Sequence, residues 1–166
     1  ATGVIPPGVP GHSERIELVH DPALARQLLT EAGFPDGQGF PVLTGSNYIG
    51  ASAGRLIGEY LSEAWFHQLG IRLTWDCRNH EMTPSADLPH EVRLTSWIAD
   101  YLDPGNFLLS YIQNEIIATS YPWHQPEYEQ LLEVAGRSTK FDERIRLYQA
   151  ADRLLTQSAV YVPLIY

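Results

Sequence analysis

The sequence predicts an α/β fold, a mixed sheet flanked by helices, on three observations. Capped amphipathic helices alternate along the chain with short runs rich in β-branched and aromatic residues. The 166 residues are 44% hydrophobic and 19% charged, which suits one well-buried core better than two independent domains. The chain finishes on an apolar run of strand composition, VYVPLIY.

Taken in order, ATGVIPPGVPG is dense in proline and glycine and reads as an extended connector lying on something, with residues 1–20 assigned to it. Residues 21–166 then form the lobe. DPALARQLLTEAG is a helix with Asp21 as N-cap, Pro22 at N1, Leu24, Leu28 and Ala32 on the inward stripe, and Gly33 at its end. FPDGQGF is a turn and PVLTGSNY a short strand centred on Val42 and Leu43. SAGRLIGEYLSEAWFHQLG carries Leu56, Ile57, Tyr60, Leu61, Ala64 and Trp65 at helical spacing and stops at Gly70. The strand IRLTWDC follows, and RNHEMTPSADLPHE, broken by Pro84 and Pro89, holds at most a short helix. HEVRLTSW alternates as a strand, with Val92, Leu94 and Ser96 on one face and Glu91, Arg93, Thr95 and Trp97 on the other. DPGNFLLSYI, PEYEQLLEVAG and FDERIRLYQAADRLLTQS are helices, the last with Leu147, Ala151, Leu154 and Leu155 inward. VYVPLIY is apolar on both faces and is expected inside the sheet, although Pro163 removes one ladder donor.

Charge and cysteine content exclude several function classes. The formal net charge is -9 and the 11 Lys and Arg are scattered, so no basic stripe exists for a phosphate backbone and nucleic acid is not expected. Cys77 is the only cysteine, which removes intrachain disulfides and cysteine-rich metal sites. No run approaches the roughly 18 apolar residues of a membrane span. His12, His20, His67, His80, His90 and His124 stand singly, without metal-ligand spacing, so neither metal nor cofactor is expected. No nucleophile stands beside a base, and the chain is expected not to be an enzyme.

The segment TSWIADYLDPGNF raises a sharper question. Asp103 precedes Pro104 and is accounted for as an N-cap, a role Asn fills nearly as well, so Asp103→Asn is expected to change stability by only a few tenths of a kcal/mol. Asp100 has no such employment. It stands in a strand-to-helix connection beside Trp97 and Tyr101, where a carboxylate is costly to bury unless a cation meets it. Taken alone, Trp97 suits core packing and Asp100 a solvated turn. Trp123 and His124, in a proline-flanked loop, could line a cleft or pack on a neighbour.

PPGVPG, HDPALARQLLTEAGFPDGQGFP, the LGI strand start, SWIADYLDPGNFL and ERIRLYQAADRLLTQSAVYVPLIY, in that order and spacing, resemble the C-terminal lobe of the family 5 extracellular solute-binding proteins. These are the receptors of oligopeptide, dipeptide and nickel ABC importers. The resemblance covers nearly the whole chain. It implies one lobe of a two-lobed, periplasmic-binding-protein-like clamp, the N-terminal lobe and a final C-terminal segment lying outside this sequence. It also implies that Trp97, Ile98, Ala99 and Asp100 are ligand-binding, main chain near the Trp meeting an extended peptide and the Asp receiving its α-ammonium. Tyr101, Trp123 and His124 are further cleft-lining candidates. One departure is that the Arg found three residues before that Trp in some oligopeptide binders is Leu94 here.

The implied function is capture of a peptide or small solute, clamped between the lobes and passed to an ABC permease. Its implied setting is extracytoplasmic, in the periplasm or anchored by lipid to the outer face of the membrane, with this lobe a monomer. The alternative is the sensor region of a transcriptional or signalling regulator built on the same module.

Overall fold

The computed structural model describes residues 1–14, 16, 19–47, 51–76, 92–110 and 123–166. Cys77, His80, His90, the segment 78–91, expected to hold at most a short helix, and most of the loop before Trp123 lie outside the described residues. Contacts divide the chain into two compact units, Ala1–Val19 with Trp97–Tyr166, and His20–Ser96.

In the second unit, α1 (Pro22–Glu31) starts where expected: the Asp21 carboxylate accepts the main-chain N–H groups of Ala23 and Leu24, and Pro22 occupies the first turn. Its covered face differs from the expectation. Leu24 and Leu28 are 49% and 54% exposed, while Pro22, Ala25 and Leu29 are half-buried. Leu24/Leu28 and Ala25/Leu29 are adjoining stripes with the same period, and the fold covers the second.

A 3-10 turn, Pro35–Gly37, leads to β1 (Leu43–Asn47), and α2 (Ala51–Leu69), β2 (Leu73–Asp76) and β3 (Val92–Leu94) complete the unit. Gly37 and Gly70, both at φ +71, meet back to back where the turn passes the end of α2. A Cβ on either would collide with main chain, so the junction requires glycine twice.

The α/β class is observed, and the three described strands are all parallel in the order β2-β1-β3. Gly45 pairs with Trp75 and Asn47 with Leu94, which sets these four residues on one face. A Cβ on Gly45 or on Gly58 of α2 would run into the Trp75 indole, and one on Gly54 into the Asn47 amide. Two glycines four apart thus let α2 lie close over the strands, with Trp75 filling the space between Gly45 and Gly58.

In the first unit, α3 (Pro104–Leu108), α4 (Pro126–Arg137) and α5 (Phe141–Gln157) enclose a core of Phe107, Leu108, Tyr128, Leu132, Ala135, Tyr148, Ala151 and Leu155. Ala151 and Leu155 are inward as expected, Leu147 and Leu154 half-buried against the same cluster. Gly136 does not stop α4, which runs on to Arg137.

The N-terminal segment is built into this core: Ile5 is fully buried and Val9 nearly so. Asp152 of α5 fixes it there. Its Oδ1 accepts the Val4 N–H at 2.7 Å and its Oδ2 the Ile5 N–H at 3.3 Å. Gly3 makes room, since a Cβ there would strike the same carboxylate.

The expected terminal strand is corrected. Residues 160–166 form no strand, and Val160, Val162, Leu164, Ile165 and Tyr166 are each at least 40% exposed, on both faces of the run. Pro163 offers no donor, and the contacts made here use other groups. The Leu164 carbonyl accepts from the Ala1 amino group, and the Tyr166 hydroxyl accepts the N–H groups of Thr2 and Gly3 at 3.0 and 3.1 Å.

Candidate ligand-binding site

The residues of interest lie where the chain leaves β3 and enters α3. β3 stops at Leu94, three residues before Trp97, the expected end of the strand. Leu94 is buried in the sheet at 9% exposure. From Trp97 to Asp103 there is no regular secondary structure, so main-chain donors must find partners elsewhere.

α3 is short but strongly held, which makes it a platform for this loop. All five of its residues are buried. Asp103 Oδ1 accepts the Gly105 N–H at 2.8 Å as the N-cap, and Asp103 Oδ2 accepts from Arg144 Nη2 of α5 at 2.6 Å. The Arg144 guanidinium also lies over the Tyr148 ring, 5.1 Å from its centroid. At the other end, the Tyr128 hydroxyl donates to the Leu108 carbonyl at 2.9 Å. Burial pushes the Tyr128 phenol far above its ordinary value, with the nearby Asp152 carboxylate adding to the shift.

From the middle of this platform Asn106, 8% exposed, reaches back along the chain. Its Oδ1 accepts the Trp97 indole N–H at 3.0 Å and the Asp100 main-chain N–H at 3.2 Å. One amide oxygen, with two lone pairs, therefore closes the Trp97–Asp100 turn at both ends. Ala99, between them, packs on the hydrophobic core.

What the turn presents outward is apolar surface around one carboxylate. Ile98 is 88%, Tyr101 57% and Leu102 80% exposed, and Trp97 keeps 40% of its surface accessible. The Asp100 side chain is exposed too, and among the described residues no cation or hydrogen-bond donor meets its carboxylate. The partner sought for Asp100 is thus absent from the described part of this chain.

The remaining candidates are placed differently. Trp123 is half-buried and meets Tyr128 edge-on at 5.1 Å, packing against the same core as Ala99. His124 is exposed, with Nδ1 2.6 Å from Glu129 Oε1 on the first turns of α4. The Trp97–Asp100 turn is organised around Asn106, and His124 is not joined to it by any described contact. Among the described residues no three His, Cys, Asp or Glu side chains gather as a metal-binding group.

Asn106 was not singled out from the sequence. Its signal is faint: an Asn inside PGNFL, flanked by Gly and Phe, is a poor helix former that is costly to bury beside the Phe unless its amide has a partner.

Residues 1–119 match the family described as bacterial extracellular solute-binding proteins, family 5 Middle. Di/tripeptide-binding protein 4 of Pseudomonas aeruginosa is 28% identical over 174 residues, covering 100% of this chain and 32% of that protein. Heme-binding protein A of Haemophilus influenzae is 27% identical over 175 residues, covering 98% of this chain and 31% of that protein. Among solved structures, the periplasmic binding protein DppA from Helicobacter pylori in complex with the peptide STSA superposes with a TM-score of 0.73. It is 25% identical, over 98% of this chain and 32% of that one. The chain therefore spans about a third of the length of these relatives.

Proposed function

Because the chain belongs to the family 5 bacterial extracellular solute-binding proteins, we propose that it is the ligand-binding lobe of an ABC importer receptor that captures peptides outside the cytoplasm. In this reading a second lobe, contributed by the longer protein, closes over the Trp97–Asp100 turn. The relatives described above carry the names of binding proteins, which supports a binding role over a catalytic one and leaves the regulator alternative without support.

The observation that carries the proposal is the Asp100 carboxylate. It stands exposed on a turn fixed by Asn106, has no cation of its own among the described residues, and occupies the position that the resemblance assigns to the ligand's ammonium. An ammonium arriving there gains a charge-assisted hydrogen bond that strengthens when closure removes water. The heme named for one relative offers no such cation, and Asp100 favours the peptide.

The test uses the full-length protein and a library of di- and tripeptides with free amino termini, titrated calorimetrically. Asp100→Asn is expected to weaken capture by about 2–5 kcal/mol, the cost of a desolvated ammonium facing a neutral partner. Acetylating the peptides should cost the wild type heavily and the variant little. Parallel losses in both proteins would mean that carboxylate and amino group never meet, and the ammonium assignment would fall.

A further inference from the structure

We propose that Asn106 is the positioning residue of the ligand turn, setting the direction of Asp100 and the plane of the Trp97 ring through a single shared oxygen. Asn106 is almost wholly buried while Asp100 is exposed, so Asn106 acts through Asp100 and Trp97 and not by touching ligand. The inference rests on the reading of Asp100 as the ammonium acceptor only for its effect on affinity; the fixing of the turn stands on the hydrogen bonds alone.

The argument is one of preorganisation. Eight residues without regular structure, 95–102, separate the end of β3 from the α3 cap Asp103, and among them Ile98, Tyr101 and Leu102 are exposed. Within this stretch the main-chain N–H of Asp100 and the indole N–H of Trp97 converge on Asn106 Oδ1 from residues six and nine positions earlier. The oxygen itself cannot drift, because α3 is capped by Asp103, tied to α5 through Arg144 and to α4 through Tyr128. Gly105 next to it has no room for a side chain: a Cβ would stand 2.8 Å from the Tyr148 hydroxyl and 2.9 Å from Asp103 Oδ1. A carboxylate held in the bound orientation before ligand arrives spares the ligand the ordering of that loop.

The experiment compares Asn106→Leu, which deletes the acceptor at similar volume, with Asn106→Asp, which keeps an oxygen in place, each alone and combined with Asp100→Asn in the full-length protein. The first readout needs no ligand: exchange rates of the Trp97 indole N–H and the Asp100 amide by NMR. Asn106→Leu should speed both by roughly tenfold or more while Leu132, deep in the core, stays protected, and Asn106→Asp should leave both slow. The second readout is capture of the free-amino di- and tripeptide library. Asn106→Leu should weaken it roughly 10- to 100-fold in the wild-type background and far less in the Asp100→Asn background.

Unchanged exchange at both N–H groups would overturn the proposal. Equal affinity losses in the two backgrounds would also overturn it, leaving Asn106 as a residue of the fold alone. If Asp100→Asn itself leaves capture unchanged, the ammonium reading falls; a loss on Asn106→Leu would then support positioning of Trp97, and no loss would remove the positioning role as well. Failure of the wild type to capture any member of the library would overturn the peptide reading and with it the affinity role of Asn106, and the exchange rates would then decide alone whether Asn106 fixes the turn.

Discussion

Arg144 of α5 places Nη2 2.6 Å from Asp103 Oδ2, and the other oxygen of the same carboxylate caps α3. The pair is mostly shielded, with side-chain exposures of 29% and 22%. It changes what Asp103 is worth. As a cap alone, Asp103 would yield to Asn at almost no cost. As the anchor of Arg144, Asp103→Asn is expected to lower stability by about 1–2 kcal/mol, since the guanidinium loses its charged partner in a partly dry place. Asp103→Ala should cost about 1 kcal/mol more through loss of the cap. Urea denaturation at two salt concentrations checks this, because the ion-pair part should shrink in salt and the cap part should not. Equal costs for Asn and Ala would contradict the division.

Asp152 provides a pH-dependent counterpart. Burial pushes its carboxyl above the ordinary value of 3.8, against the opposing pull of the Val4 and Ile5 amides, Thr156 and His12. A raised folded-state pKa means that the folded protein keeps a proton the unfolded chain has already released. Stability from this group is therefore greatest at low pH and falls as pH rises from the unfolded value through the folded one. Asp152→Asn should lack that decline in its stability–pH profile. At neutral pH the variant should still be weaker than wild type by roughly 1–3 kcal/mol, because its amide NH₂ would face a buried main-chain N–H. A variant whose profile parallels the wild type would show that Asp152 is not the titrating group.

Two glycine-to-alanine changes should move stability in opposite directions. At Gly58 the added methyl would meet the Trp75 indole, and overpacking there is expected to cost about 1–3 kcal/mol. At Gly136 the Cβ meets nothing within 4 Å and the backbone is already helical, so alanine should stabilise by roughly 0.5–1 kcal/mol. Denaturation midpoints compared at constant slope measure both. A gain at Gly58 would mean that α2 and Trp75 can separate without loss.

Local chemistry made much of the fold readable beforehand. Asp21-Pro22 and Asp103-Pro104 announced two helix starts, and Gly33 and Gly70 two ends, because caps are decided by neighbours in sequence. The failures have a common physical origin in partners that period cannot reveal. Leu24/Leu28 and Ala25/Leu29 satisfy the same helical spacing, and only the neighbouring helix decides between them. VYVPLIY has the composition of a central strand, but its described hydrogen bonds run through a carbonyl and a tyrosine hydroxyl to the first three residues of the chain. The site was half legible. Trp97 and Asp100 stood out as residue types on a turn, whereas Asn106 speaks to them through side-chain geometry that no alternation or motif encodes.

The stitching of Val4 and Ile5 to Asp152 spans 148 and 147 positions of chain, with the whole of His20–Ser96 interposed. During synthesis from the N-terminus, that interposed unit is fully made long before Asp152 leaves the ribosome. The buried isoleucine and valine of the opening segment must wait through that interval with their final neighbours unwritten. The unit carrying the Trp97–Asp100 turn thus closes only after α5 has been made, across a long span whose entropic cost grows only slowly with its length.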